Sequence, residues 1–400
     1  MSPVSRNRSL LAGILALAAA MGIGRFAYTP LLPAMQAAGG LDTAQAGFLA
    51  SANYAGYMVG ALLIAVAVPI SAQTRVLRLA AIAVVLTTAL MAGTSGLAVW
   101  SVVRFLSGLA SAGVLVLASG LVLDDLRRQG RVSRSGWLYS GVGLGIATAG
   151  IVVGATGGRW GWRGDWLLLA VIAAAALVPC WHWLPRTRHI FGRTDETGPL
   201  PHGGVPAATA LLYAAYFLEG LGYIVTGTFL VVIVDRMPGL TGLGAGVWII
   251  VGLAVIPASA LWAALASGVG YARALTAAYL LQAVGIVLPV IGGAGAGIAS
   301  AVLFGGTFAG ITALTLTLAG QLAPYRSAAL IGMLTAVFGL GQIIGPVIAG
   351  SIASRTQSFA PALVAAAVCV AIGGGLMAAL SCLDERHRNR ASLLDGEGLG

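Results

Sequence analysis

The sequence predicts an all-α integral membrane protein, with twelve transmembrane helices arranged as two pseudo-symmetric six-helix bundles. The first observation is composition: 58% of the residues are hydrophobic and 8% are charged, whereas a soluble domain has roughly 25% charged residues. The second is that apolar runs of about 20 residues, the length that crosses a bilayer, recur along the chain. The third is a spacing of glycines that repeats between the two halves of the chain.

Short polar breaks separate the apolar runs. The first run follows Arg6 and Arg8 but is too long for the apolar core of a cleavable signal peptide, so we interpret it as an uncleaved first span. The predicted spans are 9–33, 43–69, 76–97, 99–123, 136–157, 165–184, 207–234, 242–265, 273–292, 297–320, 328–353 and 359–382.

The distribution of arginine predicts the orientation of these spans. The N-terminus, the even-numbered breaks and the C-terminal tail contain sixteen of the 22 basic residues, all of them arginine, and the opposite breaks contain four. Basic residues are enriched in cytoplasmic loops, so both termini are expected in the cytoplasm of a bacterial cell, with the protein in its inner membrane. The arginines lie in short loops and form no basic domain, which argues against nucleic-acid binding.

The longest break divides the chain near its middle and is rich in charge, glycine and proline, as flexible linkers are. We therefore expect four segments in a monomeric protein. They are an N-terminal six-helix bundle over residues 1–184, a cytoplasmic linker over 185–206, a C-terminal bundle over 207–383 and a cytoplasmic tail over 384–400.

Glycine spacing indicates that the two halves are related by duplication. Gly145 in the fifth span and Gly341 in the eleventh are 196 residues apart, and Gly154 and Gly350 keep that separation. A Gly-x-Gly pair in the first span and another in the seventh are 198 residues apart. Parallel six-helix repeats place a substrate site between the halves, near the membrane midplane.

Two stretches resemble motifs of the major facilitator superfamily of secondary transporters, and the resemblance covers about residues 9–382. The fourth span contains Arg104, Gly108 and Ala112 in the spacing of the family's R-x-x-x-G-x-x-x-A pattern. The eleventh contains Gly345-Pro346, like the Gly-Pro motif of several branches. The resemblance implies a carrier with a central cavity. The motif residues expected to serve in helix packing are Gly108, Gly145, Gly154, Gly341, Gly345, Pro346 and Gly350.

The run from Gly22 to Pro33 is similar to a poorly characterised bacterial branch of the same superfamily. Two departures from the family pattern stand beside it. Residues 68–75 lack the glycine and the aspartate of the usual cytoplasmic loop motif, and the fifth span has Ala149-Gly150 where an antiporter signature would have Gly-Pro. The sequence therefore does not favour drug–proton antiport.

Three charged residues lie well inside predicted spans: Arg25, Arg104 and Glu219. An arginine at such depth costs roughly 2.5–3.5 kcal/mol on insertion scales, so we expect both arginines to line a polar cavity, where they would attract an anion. Two alternatives remain open. Arg25 could mark a helix end and extend to the headgroups, and Arg104 could hydrogen-bond a carbonyl of a neighbouring helix.

Glu219 is the candidate proton-coupling group. An apolar setting favours the protonated form of a carboxyl group and a nearby arginine favours the ionised form, so its protonation can change as the halves move. The alternative is a static Glu219–arginine bridge between the halves. The neutral residues expected to line the cavity, each of which could instead make an interhelical hydrogen bond, are Tyr28, Asn53, Tyr57, Tyr216 and Tyr223.

These observations favour a secondary active transporter of a small organic solute, anionic or amphipathic, that works by alternating access and is coupled to protons. The chain has no lysine and no G-x-x-x-x-G-K-[ST] motif, which argues against ATP-driven transport. A sensor built on a transporter fold stays open as an alternative. An intramembrane enzyme is disfavoured because the spans contain no pair of acids and no cluster of histidines. We expect no cofactor and no metal, and the partners are the solute, a proton and the lipid bilayer.

Overall fold

The computed structural model describes residues 3–184, 207–322 and 327–397, and the side chains over slightly shorter stretches of these ranges. The described residues form helices and connecting turns, with no strand among them. The predicted linker over 185–206 lies outside the described residues.

Twelve helices in the described part of the chain are long and apolar enough to cross a membrane. They confirm the twelve predicted spans, and the predicted boundaries fall within about five residues of the observed ones. In chain order, the helices α1 to α12 are Asn7–Ala37, Thr43–Ala67, Gln73–Gly93, Leu97–Arg128, Arg134–Thr156, Gly161–Trp183, Ala207–Asp235, Gly244–Val269, Tyr271–Val290, Ala294–Leu322, Leu330–Thr356 and Ala360–Leu383.

Within each half the connections between successive helices are short, so neighbouring helices alternate in direction. We call the end of the molecule that contains Asn7, Trp183, Ala207 and Leu383 the terminal end, and the opposite end the far end. Helices α1–α6 are the first half and α7–α12 the second half. The last helical segment runs over Ala360–Glu397, so the backbone stays helical well into the predicted tail.

Local chemistry explains two of the helix ends. At the start of α2, the side chain of Asp42 accepts a hydrogen bond from the backbone N–H of Gln45, and the Gln45 side chain accepts one from the backbone N–H of Asp42. This reciprocal pair satisfies N–H groups that the first helical turn leaves without partners. Helix α4 ends with Arg127 and Arg128, whose charge suits the negative end of the helix dipole.

Helix α1 is broken near its middle. The α-helical segment Pro3–Leu17, which contains the start of α1, is followed by a π-helical segment, Ala18–Ile23. Turns follow over residues 24–27, and the α-helix resumes over Tyr28–Ala37. Here the N–H of Gly24 bonds to the carbonyl of Ala19, five residues earlier, at 2.8 Å. Such π segments occur often at functional sites, and this one ends beside Arg25.

Glycines let the helices of the first half approach backbone to backbone. A Cβ atom added at Gly145 in α5 would lie 2.1 Å from the carbonyl oxygen of Ala18, and one added at Gly22 would lie 2.3 Å from the Cα of Gly145. A Cβ at Gly108 in α4 would lie 1.9 Å from the carbonyl oxygen of Asn53 in α2. Small residues permit this close approach, which replaces the hydrophobic effect as the source of helix association in lipid.

The two halves meet along two helix pairs, α2 with α11 and α5 with α8. A Cβ at Gly47 would lie 2.1 Å from the carbonyl oxygen of Pro346, and one at Gly350 would lie 2.7 Å from a backbone carbonyl at the start of α2. In the other pair, a Cβ at Gly143 would lie 2.5 Å from the carbonyl oxygen of Gly252. Backbone contact therefore holds the halves together on both sides of the molecule.

The motif glycines of the second half also allow close contact between helices, whereas Gly154 of the first half does not make such a contact. Cβ atoms at Gly341 and Gly345 in α11 would each lie 2.5 Å from a backbone carbonyl of α7. In contrast, a Cβ at Gly154 in α5 would meet Ala245 at 3.8 Å, an ordinary van der Waals distance. The space around Gly154 is therefore large enough for a methyl group.

Candidate functional site: a buried arginine between the two halves

The break in α1 places Arg25 at the interface between the halves, with 3% of its surface exposed. One guanidinium nitrogen donates a hydrogen bond to the side-chain oxygen of Gln342 in α11, at 2.7 Å. The guanidinium carbon lies 4.2 Å from the ring centre of Tyr57 and 4.8 Å from that of Tyr54. Cation–π contacts of this kind stabilise a desolvated cation. Arg25 is thus a buried residue of the interface and does not extend to the headgroups.

Arg104 has a different environment, although it is equally buried. Its guanidinium donates hydrogen bonds to the carbonyl oxygens of Gly24 and Arg25, at 3.1 and 2.9 Å. The hydroxyl of Ser107 donates to the same Gly24 carbonyl at 3.0 Å. Irregular backbone inside a membrane needs such partners, because no water is present to satisfy it. The contacts of Arg104 are those of the alternative that the sequence left open, a bond to a neighbouring helix.

Two of the predicted cavity residues make hydrogen bonds inside the first half. Asn53 donates from its side-chain amide to the carbonyl of Arg104 at 2.9 Å, and the hydroxyl of Tyr28 donates to the carbonyl of Ala46 at 3.0 Å. Both side chains are buried. Tyr57 is half-buried and faces Arg25. The structure therefore brings Tyr57 to Arg25 and places Asn53 and Tyr28 in the surrounding helix contacts.

A wall of stacked aromatic rings faces Arg25 from the second half. Phe338 of α11 stacks on Tyr216 at 4.3 Å and on Tyr223 at 5.4 Å between ring centres. The hydroxyl of Tyr223 accepts a hydrogen bond from the side-chain amide of Gln342, so a continuous chain runs from Arg25 through Gln342 to Tyr223. Offset stacking of this kind gives a flat, apolar surface with polar edges.

Half-buried aromatic residues continue this site towards the terminal end. Some surface is accessible on each of three aromatic residues, Tyr57, Tyr139 and Phe338. Towards the far end, the interface residues Thr29, Tyr54 and Thr228 are buried. Tyr216 lies within electrostatic range of both Tyr57 and Tyr139, which belong to the first half. Aromatic groups of the two halves therefore lie near one another at this level.

Three hydrogen bonds between described residues cross from the first half to the second. All three lie between the level of Arg25 and the far end. They join Arg25 to Gln342 at 2.7 Å, the hydroxyl of Thr29 to the carbonyl of Gly227 at 2.7 Å, and the hydroxyls of Tyr54 and Thr228 at 3.3 Å.

Glu219 lies within the second half and has 1% of its surface exposed. One carboxyl oxygen accepts a hydrogen bond from the side-chain amide of Gln282 in α9 at 2.6 Å, and Gln282 in turn accepts one from the hydroxyl of Thr307 in α10 at 2.8 Å. The other carboxyl oxygen has no partner among the described residues. Within the described part of the chain, Arg25 and Arg104 form no ion pair with Glu219, so the static bridge considered from the sequence is not formed.

Three residues that contact the predicted site residues, Gln342, Gln282 and Phe338, were not predicted from the sequence. Gln342 and Gln282 are neutral, yet each is the partner of an expected charged residue. A search for every amide side chain within the apolar runs would have found both. Phe338 had no sequence signal, because a phenylalanine in an apolar span is ordinary.

The described residues contain no group of three or more His, Cys, Asp and Glu side chains close enough to hold a metal ion. The three cysteines, Cys180, Cys369 and Cys382, are free thiols.

Comparisons with known proteins bear on the family and the fold of this chain. Residues 17–378 match the model of the family described as "Uncharacterised MFS-type transporter YbfB". A comparison with curated protein sequences finds no significant match. Among solved structures, the nucleoside transporter NupG is similar with a TM-score of 0.69, 15% sequence identity, and coverage of 94% of this chain and 99% of that one. Its D323A mutant is similar with a TM-score of 0.70, the same identity, and coverage of 94% and 98%.

The structural likeness is of fold alone at this identity, and it corresponds to the twelve-helix arrangement described above. The match to the family model extends from the first helix into the last one, and so includes the broken segment of α1, the arginine of α4 and the glycine motif of α11. The chain belongs to the family of YbfB-type transporters within the major facilitator superfamily, and it is a multi-pass membrane protein.

Proposed function

We propose that this protein is a secondary active transporter of a small amphipathic organic anion, with Arg25 as the binding group for the anionic part. The observation on which the proposal rests is the charge of Arg25. This side chain is buried, and no carboxylate among the described residues pairs with it. One nitrogen donates to a neutral amide, and the Nε atom has no partner among the described residues.

A buried cation of this kind favours an anionic ligand. Cations inside a membrane usually pair with an acid or mark a substrate pathway. A carboxylate or phosphate on the ligand would accept hydrogen bonds from the guanidinium, and such charge-assisted bonds are stronger than the bond to the amide of Gln342. The low local dielectric strengthens the attraction further.

The aromatic wall supports an amphipathic ligand. Phe338, Tyr216 and Tyr223 provide a flat surface near the guanidinium, and Tyr57 provides another ring from the first half. Ligand sites are commonly apolar with a few polar groups that set orientation. A planar or apolar body against these rings, with its acidic group at Arg25, uses both features.

The proposal includes alternating access, coupling to protons through Glu219, and a monomer with two six-helix bundles over 1–184 and 207–383. The three cross-half hydrogen bonds support a state closed at the far end. Sixteen arginines lie in the terminal segments and the even-numbered breaks, and four lie in the opposite breaks, which supports a cytoplasmic terminal end. The linker over 185–206 and the tail over 384–400 would then lie on the same side of a bacterial inner membrane.

The test is a ligand-stabilisation screen on purified protein, followed by uptake into proteoliposomes. Any ligand that binds the native state raises its melting temperature. We expect aromatic carboxylates to stabilise the wild type and the exposed-loop control Arg159→Gln, and to lose this effect in Arg25→Gln. If Arg25→Gln binds and transports its ligand as well as the wild type, Arg25 is not the anion site.

A nucleoside is a second candidate, favoured by the stacked rings and by the similarity in fold to NupG. Nucleosides are neutral, so their binding would depend on the aromatic wall and would tolerate Arg25→Gln. The same screen separates the candidates, because Phe338→Ala should weaken both ligands and Arg25→Gln should weaken the anion alone.

A further inference from the structure

Two adjoining cavities lie on the outer surface of the first half, away from the site between the halves. The first has a volume of about 330 Å³ and lies at the terminal end, where the start of α3 meets the end of α6. The second has a volume of about 350 Å³ and follows the same two helices deeper into the membrane. They share Ala81, Trp181 and His182, so they form one continuous depression, which we call the α3–α6 groove.

The two parts of the α3–α6 groove have opposite chemical character. Arg78 lines the shallow part and not the deep part, and His182 lies where the two parts join. The deep part is lined by aliphatic side chains, among them Ile82, Leu86 and Val178. Leu86 and Val178 are each 56% exposed, as side chains that face lipid are. A polar pocket at the helix ends therefore opens into an apolar channel parallel to the helices.

Arg78 is held in place at the boundary. Its guanidinium carbon lies 5.6 Å from the ring centre of Trp181, a cation–π distance. Tryptophan prefers the level of the lipid headgroups, which is consistent with the position of Trp181 near the end of α6. Arg75, one turn earlier on α3, is exposed and does not line either cavity.

We propose that the α3–α6 groove is a binding site for one anionic phospholipid. The headgroup phosphate would bind Arg78 in the shallow part, and an acyl chain would lie along the deep part. Charge complementarity argues for the phosphate, and basic pockets between transmembrane helices are known to bind anionic headgroups. The apolar channel argues for a lipid and against a free anion, because inorganic phosphate would leave it empty.

The second half contains a cavity at the equivalent place. It has a volume of about 350 Å³ and lies where the start of α9 meets the ends of α10 and α12, with Arg273 in its wall. Both halves therefore have a polar pocket at the terminal end. We place the phospholipid in the first half, because there an apolar channel continues the pocket.

The experiment measures the melting temperature of purified full-length protein in neutral detergent, with added phosphatidylglycerol or with phosphatidylcholine of the same acyl chains. We expect phosphatidylglycerol to raise the melting temperature of the wild type more than phosphatidylcholine does. Arg78→Gln should lose at least half of that difference, whereas the matched charge loss Arg75→Gln should keep it. Native mass spectrometry should show one retained phosphatidylglycerol fewer in Arg78→Gln.

A second variant tests the channel without a change of charge. Ala174 lines the deep part and is half-buried, so Ala174→Phe should fill the channel and also reduce the phosphatidylglycerol effect. This variant keeps the test valid if Arg78→Gln does not fold. Equal effects of the two lipids, equal losses in Arg75→Gln and Arg78→Gln, an unchanged effect in Ala174→Phe, or the same stabilisation by inorganic phosphate alone would each overturn the proposal.

Discussion

Arg25 and Arg104 have the same charge and lie at similar depth, but their partners differ. Arg104 donates to two backbone carbonyls of the broken segment in α1, which then holds Arg25 in the interface. Arg25 has a neutral side chain as its hydrogen-bond partner. We therefore interpret Arg104 as a positioning residue and Arg25 as the residue that contacts the ligand.

The first prediction concerns the stability that Arg104 provides. Arg104→Gln should lower the free energy of unfolding by about 3 kcal/mol, because hydrogen bonds to charged groups contribute roughly 1.5–3 kcal/mol each. Arg104→Lys should recover part of this loss, since an ammonium group can bond one carbonyl but lacks the planar fork. Thermal unfolding of detergent-purified protein measures both. If Arg104→Gln keeps its melting temperature and loses ligand binding alone, Arg104 belongs to the binding surface instead.

The second prediction is that Glu219 couples transport to protons. Its carboxyl group is buried, with one oxygen bonded to Gln282 and the other without a partner among the described residues. Glu219→Gln mimics the protonated form and should lose accumulation driven by a pH gradient, while it keeps ligand binding and exchange.

The measurement compares uptake and counterflow in proteoliposomes at several pH values. Gln282→Ala is the companion variant, because it removes the hydrogen-bond donor and leaves the acid in place. We expect it to shift the pH dependence of uptake and to retain coupling. Unchanged, gradient-dependent accumulation by Glu219→Gln would mean that the coupling group lies elsewhere.

At the scale of helices, hydropathy predicted all twelve spans because each contains a predominantly apolar run long enough to cross a bilayer. The break in α1 was not predicted, since a π-helical segment made of alanine, methionine, glycine and isoleucine has the same hydropathy as an α-helical one. The charged members of the site were predicted because charge is rare in a membrane. Their neutral partners, Gln342 and Gln282, depend on which helices become neighbours, which one sequence does not reveal.

The third prediction compares two glycines of α5. Gly145→Ala should destabilise the protein by about 1–3 kcal/mol, because the added methyl group meets the α1 backbone at 2.1 Å and the helices must separate. Gly154→Ala should be neutral or stabilising by up to about 1 kcal/mol, since space is available and alanine favours a helix. Melting temperatures of the two variants measure this contrast. Equal losses would show that the close approach of α1 and α5 is unimportant.

At the scale of the whole molecule, the fourth prediction is the orientation in the membrane. A cysteine introduced as Gly198→Cys should react with a permeant reagent and resist an impermeant reagent added outside intact cells. The native Cys382 is exposed and would also react with the reagents. The parent should therefore lack Cys382, and its own labelling is the control. Labelling from outside would place the linker and both termini on the opposite side.

The hydrogen bond from Arg25 to Gln342 has a consequence for ligand affinity. The amide oxygen of Gln342 accepts a hydrogen bond from Arg25. If Arg25 binds the anionic part of the ligand, as we propose, this amide competes with the ligand for the same donor. An anionic group bound at Arg25 would displace the amide of Gln342. This would remove one of the three hydrogen bonds between the halves. The variant Gln342→Ala should therefore bind the ligand more tightly, because the competing amide is absent. Without ligand, its two halves should close less well at the far end, because one hydrogen bond between them is lost. Ligand affinity and passive solute leak, both measured on this variant in proteoliposomes, should increase together.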